Sequence, residues 1–520
     1  MITPRIAFNK IKALVKPCHI QAFLAALITG IIAHGYVIAN YIPNWDGFNN
    51  LYDPQNKLAL GRCFLTLGCG ISSYYDLPWL SGILSLLYIS ITAVILTDLF
   101  ELKRKISCIL TGAVLAAFPA CTSIFGYSYT SDGYFLAMLL MALAARLCIH
   151  KKNGILRCIP AAALVCFALG CYQAFISFGL TILIVWAIKQ LLFEREEHGM
   201  KQLLLTFRNA VISFGVGFVL YFICNKLLQG ISGVSPADYQ GISDLGSGGF
   251  SLSQVAHGFV SCIVDFAYFM LGSISKLSLY GILNIIILLL LCVCLVWTIV
   301  RERIYKSPLR LILTIVLTMM IPFSCFAVNF ISAGVEYHSL MVMAVCLIYI
   351  LLLIFYEKNG APLLQWTIIV LMSVYLWNAI VIANICYRVE ETSVTRSQIV
   401  LDDIAGLLAE TGEADSATNL IVIGNWDENE TGRFHSSSSI YLPPVMTGFT
   451  DGIVMTGPIH FTNLFRDYYG YDYRMLSEAT TMEFTSVHEK EIADMPQYPQ
   501  KGSVAIIDHV AIIKLSNELQ

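Results

Sequence analysis

The residues of this chain best suited to chemistry are polar groups stranded between long apolar runs. The first is Asp46, in Pro43-Asn44-Trp45-Asp46-Gly47, directly after the first apolar run. A carboxylate at a membrane surface stays partly desolvated and basic, which suits a general base, a role worth about 10²–10⁴ in rate. The plainer alternative is a solvated loop aspartate with Trp45 as an interfacial anchor. Arg62, in Gly61-Arg62-Cys63, has a planar fork that can grip a lipid phosphate. Snorkelling along apolar surface is the other role open to it. Asp132 closes Tyr127-Ser128-Tyr129-Thr130-Ser131-Asp132 just before an apolar run. There it either caps a helix or works beside aromatic rings that suit a sugar platform. Tyr172-Gln173 reads as a turn whose amide could hydrogen-bond sugar hydroxyls or simply be polar. Glu336-Tyr337-His338 opens a late apolar run; Glu336 and His338 could relay a proton or hold a metal. Two such residues do not specify a metal site, so no metal ligand set and no cofactor are assigned, and a divalent metal stays open. Asn429-Glu430-Thr431 matches a glycosylation pattern by spacing alone.

Such side chains act only where apolar elements hold them. The chain of 520 residues is 57% hydrophobic and 13% charged. A soluble domain is about 45–50% apolar and about 25% charged. With a mean hydropathy of +0.70, too little polar surface is left to cover a water-soluble particle. The bilayer is therefore the expected solvent for most of it. A hydrocarbon core of about 30 Å takes about 20 apolar residues as helix, because lipid offers no partner to unpaired backbone groups. Eleven runs are predicted to span: 19–42, 78–100, 106–125, 133–149, 157–171, 174–192, 208–228, 279–300, 310–330, 339–356 and 364–387. The net charge of −3 suggests no nucleic-acid partner.

Basic residues set the expected orientation. Arg5, Lys10, Lys12 and Lys16 begin a series continued by Lys103-Arg104-Lys105, Lys151-Lys152-Arg157, Arg195-Lys201-Arg208, Arg301-Arg303-Lys306-Arg310 and Lys358. Alternate loops hold only Lys57, Arg62 and Lys276. This places the N-terminus in the cytoplasm and the C-terminal part outside. The count needs a turn at Tyr172-Gln173 within 157–192. It also needs 253–272, which carries His257 and Asp265, to lie on the outer face after the Gly/Ser-rich loop 230–251. The first run lacks a small-x-small cleavage pattern and is expected to remain as an anchor. No inverted repeat is visible.

All sixteen cysteines precede Arg388, most of them as small hydrophobes in apolar runs. Cys63 and Cys69 share one outer loop and could form a disulfide; no CxxC metal pattern occurs. Charge density rises after residue 389, so the chain is expected to divide into a transmembrane part, 1–389, and an outer domain, 390–520. The latter alternates helix-like 396–410 with strand-like 419–424 and 503–508, the pattern of a small α/β module.

Every candidate group lies on the expected outer face. With these residues the chain resembles the bacterial glucosyl transferase GtrII family, polytopic enzymes of the GT-C class. The carriers are Asn44-Trp45-Asp46, Gly61-Arg62, the loop Tyr129-Thr130-Ser131-Asp132-Gly133-Tyr134, Cys171-Tyr172-Gln173, and the closing Tyr498-Pro499, Gly502-Ser503 and Ile513-Lys514-Leu515-Ser516. The family tends to have a second acidic residue beside the first-loop aspartate and an aromatic after Gly-Arg, where Gly47 and Cys63 stand here. The resemblance implies a GT-C-like fold and a polyprenyl-phosphate sugar donor, such as the glucose form, presented on the outer leaflet of a bacterial plasma membrane. The acceptor would be a cell-surface glycan such as O-antigen, teichoic acid or capsule. Asp46 would take the acceptor proton while Arg62 stabilises the departing lipid phosphate. Asp132 would hold sugar hydroxyls or share the base role. A transporter or lipid-linked glycan flippase is the rival reading, and it calls for ionisable residues near the bilayer midplane. The spans here are nearly free of charge at their centres, with Asp98 and Arg146 towards the ends.

Overall fold

The computed structural model describes residues 3–6, 13, 15–48, 51–149, 155–194, 196–237, 252–272, 278–331, 335–426, 443, 446–455 and 457–516. Lys10, Lys12, Lys151, Lys152, Arg195, Lys276, residues 238–251 of the Gly/Ser-rich loop and the Asn429 pattern lie outside the described residues. The chain divides into two compact units. The first comprises Met1–Asn40, Asp53–Asn384 and Pro443–Thr447; the second comprises Tyr41–Tyr52, Ile385–Leu442 and Gly448–Gln520.

The first unit is helical. In chain order its helices are α1 (Pro17–Ala39), α2 (Leu65–Cys69), α3 (Pro78–Leu99), α4 (Lys105–Ala117), α5 (Pro119–Phe125), α6 (Ser131–Ile149), α7 (Cys158–Cys171), α8 (Ile176–Phe193), α9 (Glu196–Ser232), α10 (Leu252–Leu271), α11 (Leu279–Arg301), α12 (Pro308–Met319), α13 (Ile321–Cys325) and α14 (Cys346–Lys358). A last helix, α15 (Pro362–Glu410), starts in this unit and continues into the second. Proline opens α1, α3, α5, α12 and α15. Its fixed φ suits a first helical position, and its missing N–H would have no partner there in any case.

Among the described residues seven helices are long and apolar enough to cross a membrane, eight if α4 and α5, bent by 42°, form one span. The eleven expected runs are therefore not all continuous helices of spanning length. Runs 157–171 and 310–330 fall on shorter apolar helices. Pro322 stands where 310–330 breaks into α12 and α13, and 3-10 turns at Ser339–Met341 and Met343–Val345 precede α14. Close helix approach depends on small residues, since lipid supplies no hydrophobic drive between helices. At Gly112 of α4 an added Cβ would stand 2.2 Å from the Ala22 carbonyl oxygen of α1, so only glycine fits there.

Helix ends that carry the basic clusters meet at one end of this unit. Asp98 accepts from Lys16 at 2.9 Å and from Arg146 at 2.7 Å. Buried Lys189 reaches Glu101 at 2.7 Å. Glu357 accepts from the Arg104 N–H at 3.1 Å and from the Ser107 hydroxyl. Helix α10 instead meets the opposite end of the α12–α13 run, where Asn329 donates to Asp265 at 2.8 Å.

The second unit contains a four-stranded sheet in the order β2-β1-β4-β3, built from β1 (Asn419–Ile423), β2 (Arg474–Met475), β3 (Val504–Ile507) and β4 (Val510–Lys514). β1 runs parallel to β2 and β4, while β3 and β4 form a hairpin. Asp508 and His509, with φ of 45° and 63°, make the two-residue turn that such a hairpin requires. Ile421, Ile423, Val510 and Ile512 pack with Ile492 to form its core. Lys514, only 3% exposed, is satisfied because its ammonium donates to the Ile492, Ala493 and Met495 carbonyls at the end of a short helix, Glu489–Asp494.

Candidate functional site

Three strands of chain converge on Arg62 within the first unit. Gly61 ends a 3-10 turn in the left-handed region, φ 72°, where a side chain would be strained. A Cβ there would also lie 2.7 Å from both Gln173 Nε2 and the Tyr221 hydroxyl. Those two groups pin the turn. Gln173 Nε2 donates to the Leu60 carbonyl at 3.0 Å and to the Tyr221 hydroxyl at 3.1 Å; that hydroxyl donates to the Gly61 carbonyl at 2.9 Å. The half-buried Arg62 then projects onto two stacked rings, Tyr134 and Tyr172, whose centroids are 4.2 Å apart. Its guanidinium carbon is 5.0 Å from the Tyr172 centroid and 5.7 Å from that of Tyr134, and Nη1 donates to the Tyr134 hydroxyl at 2.8 Å. Cation–π contacts of this kind contribute about 0.5–2 kcal/mol each and fix the plane of the fork.

Two residues before Tyr134, in the first turn of α6, stands Asp132, only 1% exposed. It is the second residue of the helix rather than a residue preceding it. Its Oδ1 accepts from the Gly133 N–H at 2.9 Å; the Ser72 hydroxyl and Cys69 thiol stand near the carboxylate, but neither makes a well-formed hydrogen bond to its buried Oδ2. A second carboxylate, Asp76, lies 5% exposed before α3. Ser128 donates to its Oδ2 at 2.9 Å, while its buried Oδ1 has no hydrogen-bond partner. Burial pushes the Asp76 carboxyl up to about 7; the Ser128 bond opposes that shift, and the nearby Asp132 charge adds to it. Two desolvated carboxylates, each with one unmet oxygen, therefore share this end of the helical unit.

The remaining candidates separate. Glu336 is exposed and His338 half-buried. Tyr337 between them is buried, its hydroxyl accepting from the Val328 N–H at 3.1 Å. Among the described residues no group of three His, Cys, Asp or Glu side chains could hold a metal ion. Cys63 and Cys69 are free thiols, not a disulfide. They face different helices: a Cβ at Gly133 of α6 would meet Cys69 Sγ at 2.9 Å, and one at Gly170 of α7 would meet Cys63 Sγ at 3.0 Å.

Asp46 and Trp45 belong to the second unit, on a four-residue helix, Trp45–Phe48. Asn44 Oδ1 accepts from the Gly47 N–H at 2.9 Å and shapes that turn. His460, on the helix Pro458–Leu464, is 4% exposed and lies 2.7 Å from the Trp45 carbonyl through Nε2. The Gly457 N–H donates to His460 Nδ1 at 3.1 Å. An amide can only donate, so Nδ1 is bare, and Nε2 carries the proton given to Trp45. Burial holds this imidazole below its usual range, against the pull of the Asp46 charge.

Sequence reasoning missed Asp76, Tyr134 as an arginine partner, Tyr221 and His460. Asp76 had one available signal, an acid two residues before the proline that starts α3. His460 had none. Residues 35–349, well over half of the chain, match the family model described as Glucosyl transferase GtrII. No curated protein matches the chain.

Proposed function

Since the chain belongs to the glucosyl transferase GtrII family, we propose that it transfers glucose from a polyprenyl-phosphate donor to a hydroxyl of a cell-surface glycan on the outer face of a bacterial plasma membrane. The bond between sugar C1 and the phosphate oxygen breaks, and a new bond forms from C1 to the acceptor oxygen. The acceptor proton passes to a carboxylate, and polyprenyl phosphate leaves with the negative charge. In this proposal the membrane part is GT-C-like and crosses about eleven times. The shorter helices and the bent pair complete the count, and α10 lies on the outer surface.

The observation that carries the reading is Arg62 held against the stacked rings of Tyr134 and Tyr172, with Nη1 bound to the Tyr134 hydroxyl. A fork already oriented by two rings can take a phosphate with little loss of side-chain freedom. Its place in an apolar helical unit suits a phosphate that carries a lipid tail. Asp132 and Asp76 are assigned to sugar hydroxyls, with Asp132 also able to share the base role. Tyr172 and Gln173 brace the arginine from behind. Glu336 and His338 are retained as substrate-binding polar groups. Asp46 is the assigned base of the second unit, beside Trp45.

Transfer from synthetic polyprenyl-phosphate-glucose by nanodisc-embedded protein tests the proposal, with wild type compared against Asp46→Ala and Asp132→Asn. Product in wild type and none in a folded Asp46→Ala variant supports both the reaction and that base. Transfer intact in Asp46→Ala and absent in Asp132→Asn moves the base role to Asp132. No transfer to any tested glycan removes the donor assignment.

A further inference from the structure

We propose that the second unit carries a binding subsite for one neutral sugar ring of the acceptor glycan, a proposal that rests on the glucosyl-transfer reading above. The subsite is a pocket of about 140 Å³ whose lining includes Phe48, Gln398, Asp402, Leu464, Tyr468 and Tyr469. A cavity of about 150 Å³ holds benzene, and a pyranose with its hydroxyls is larger, so this pocket seats one face of a single ring and has no room for two.

Its lining is chemically selective. Gln398 and Asp402 are four residues apart on α15 and so share a face. They offer a planar amide and a planar carboxylate side by side, the pair needed to read vicinal hydroxyls. The Tyr469 hydroxyl donates to Asp402 Oδ1, which fixes the carboxylate and leaves Oδ2 for a ligand. Tyr468 is 57% exposed, an aromatic body with a polar tip and a face available to the C–H side of a sugar. The lining contains an acid and no cation. A phosphate or anionic headgroup is thereby disfavoured, which distinguishes the acceptor's neutral ring from the phosphate end of the donor.

Placement ties this pocket to the candidate base. Phe48, one wall, is the last residue of the short helix that holds Asp46. Leu464, another wall, is the last residue of the helix whose His460 holds the Trp45 carbonyl. The two helices that fix the Asp46 turn therefore each supply one wall of the pocket.

The test uses full-length protein in nanodiscs, with free di- and trisaccharides of glucose, galactose and rhamnose as probes, read by saturation-transfer NMR. At least one saccharide is expected to bind wild type and to bind tenfold or more weakly to Asp402→Asn and Tyr468→Ala, while Tyr468→Phe, which keeps the ring, binds close to wild type. In turnover assays the same two weakened variants are expected to raise acceptor KM tenfold or more with little change in donor KM. Equal binding by wild type and both variants, or no binding by wild type, overturns the subsite. Two mixed results separate this proposal from the reading beneath it. Saccharide binding that depends on Asp402 and Tyr468, without transfer from polyprenyl-phosphate-glucose, keeps the subsite and removes the catalytic reading. Transfer with unchanged acceptor KM in both variants does the reverse.

Discussion

The helical unit has two polar ends that treat charge in opposite ways. At the basic end, Asp98 is held by Lys16 and Arg146, Glu101 by Lys189, and Glu357 by the Arg104 N–H and the Ser107 hydroxyl. At the other end Asp76 and Asp132 are buried, and among the described residues no cation pairs with either. Arg62 there rests on tyrosine rings and a phenol oxygen. A carboxylate taken out of water without a partner is costly, and desolvated carboxylates of this kind cluster at functional sites. The paired end joins helices. The other end leaves one buried oxygen on each of Asp76 and Asp132 without a hydrogen-bond partner.

Neutralising one carboxylate at each end would break the contrast most directly. Asp132→Asn is expected to lower kcat by about 10²–10⁴ while the folded protein survives. Asp98→Asn, which strands Lys16 and Arg146, is expected to lower the thermal midpoint and leave kcat near wild type. Turnover and a melting curve on the same two preparations check this, and a shared loss of stability alone would erase the distinction. Next in size is the arginine. Losing a hydrogen bond to a charged group costs about 1.5–3 kcal/mol, so Arg62→Lys should raise donor KM roughly ten- to hundredfold. Acceptor KM should move much less, and steady-state kinetics with each substrate varied would show whether it does.

The comparison extends to the second unit, where the Asp46 turn depends on one neutral imidazole. His460→Ala is expected to lower kcat about tenfold, the worth of roughly one hydrogen bond. His460→Gln, whose amide can still donate to the Trp45 carbonyl, should recover most of it. Equal kcat in all three proteins would reduce His460 to packing. A last effect concerns stability rather than rate. The folded chain binds the Asp76 proton more tightly than the unfolded chain does, because its carboxyl is raised from 3.8 to about 7. Stability therefore falls as pH rises between those values and stays lower above them. Asp76→Asn removes this penalty. It should raise the thermal midpoint above neutral pH and leave it unchanged below about pH 4. A midpoint difference independent of pH would show that Asp76 is not the titrating group.

Much of the candidate site was legible in the order of residues along the chain. Arg62, Asp132, Tyr172 and Gln173 stand out as polar residues at the ends of apolar runs, and all four lie at one end of the first unit. The roles within that set were less legible. Gln173 looked free to meet a sugar, yet its amide nitrogen braces the Arg62 turn. Cys63 and Cys69 looked close enough in the chain to pair, but the helix between them turns each toward a different neighbour. Asp76 was invisible because its significance lies in its surroundings: a lone acid before a helix says nothing of its burial beside a second carboxylate.

By itself the sequence determined the solvent, the helical class, the basic helix ends, the α/β character of the tail and the residues that bear the family resemblance. Apolar run length, proline placement and charge clustering are local properties, and local properties can be read along a line. The tertiary structure decided what those properties bring together. Arg62 meets Tyr134 across 72 residues, Ser128 meets Asp76 across 52, and His460 meets Trp45 across 415. Contacts over such separations depend on which small residues let helices approach and on which loop folds with which unit. Only packing in three dimensions settles that.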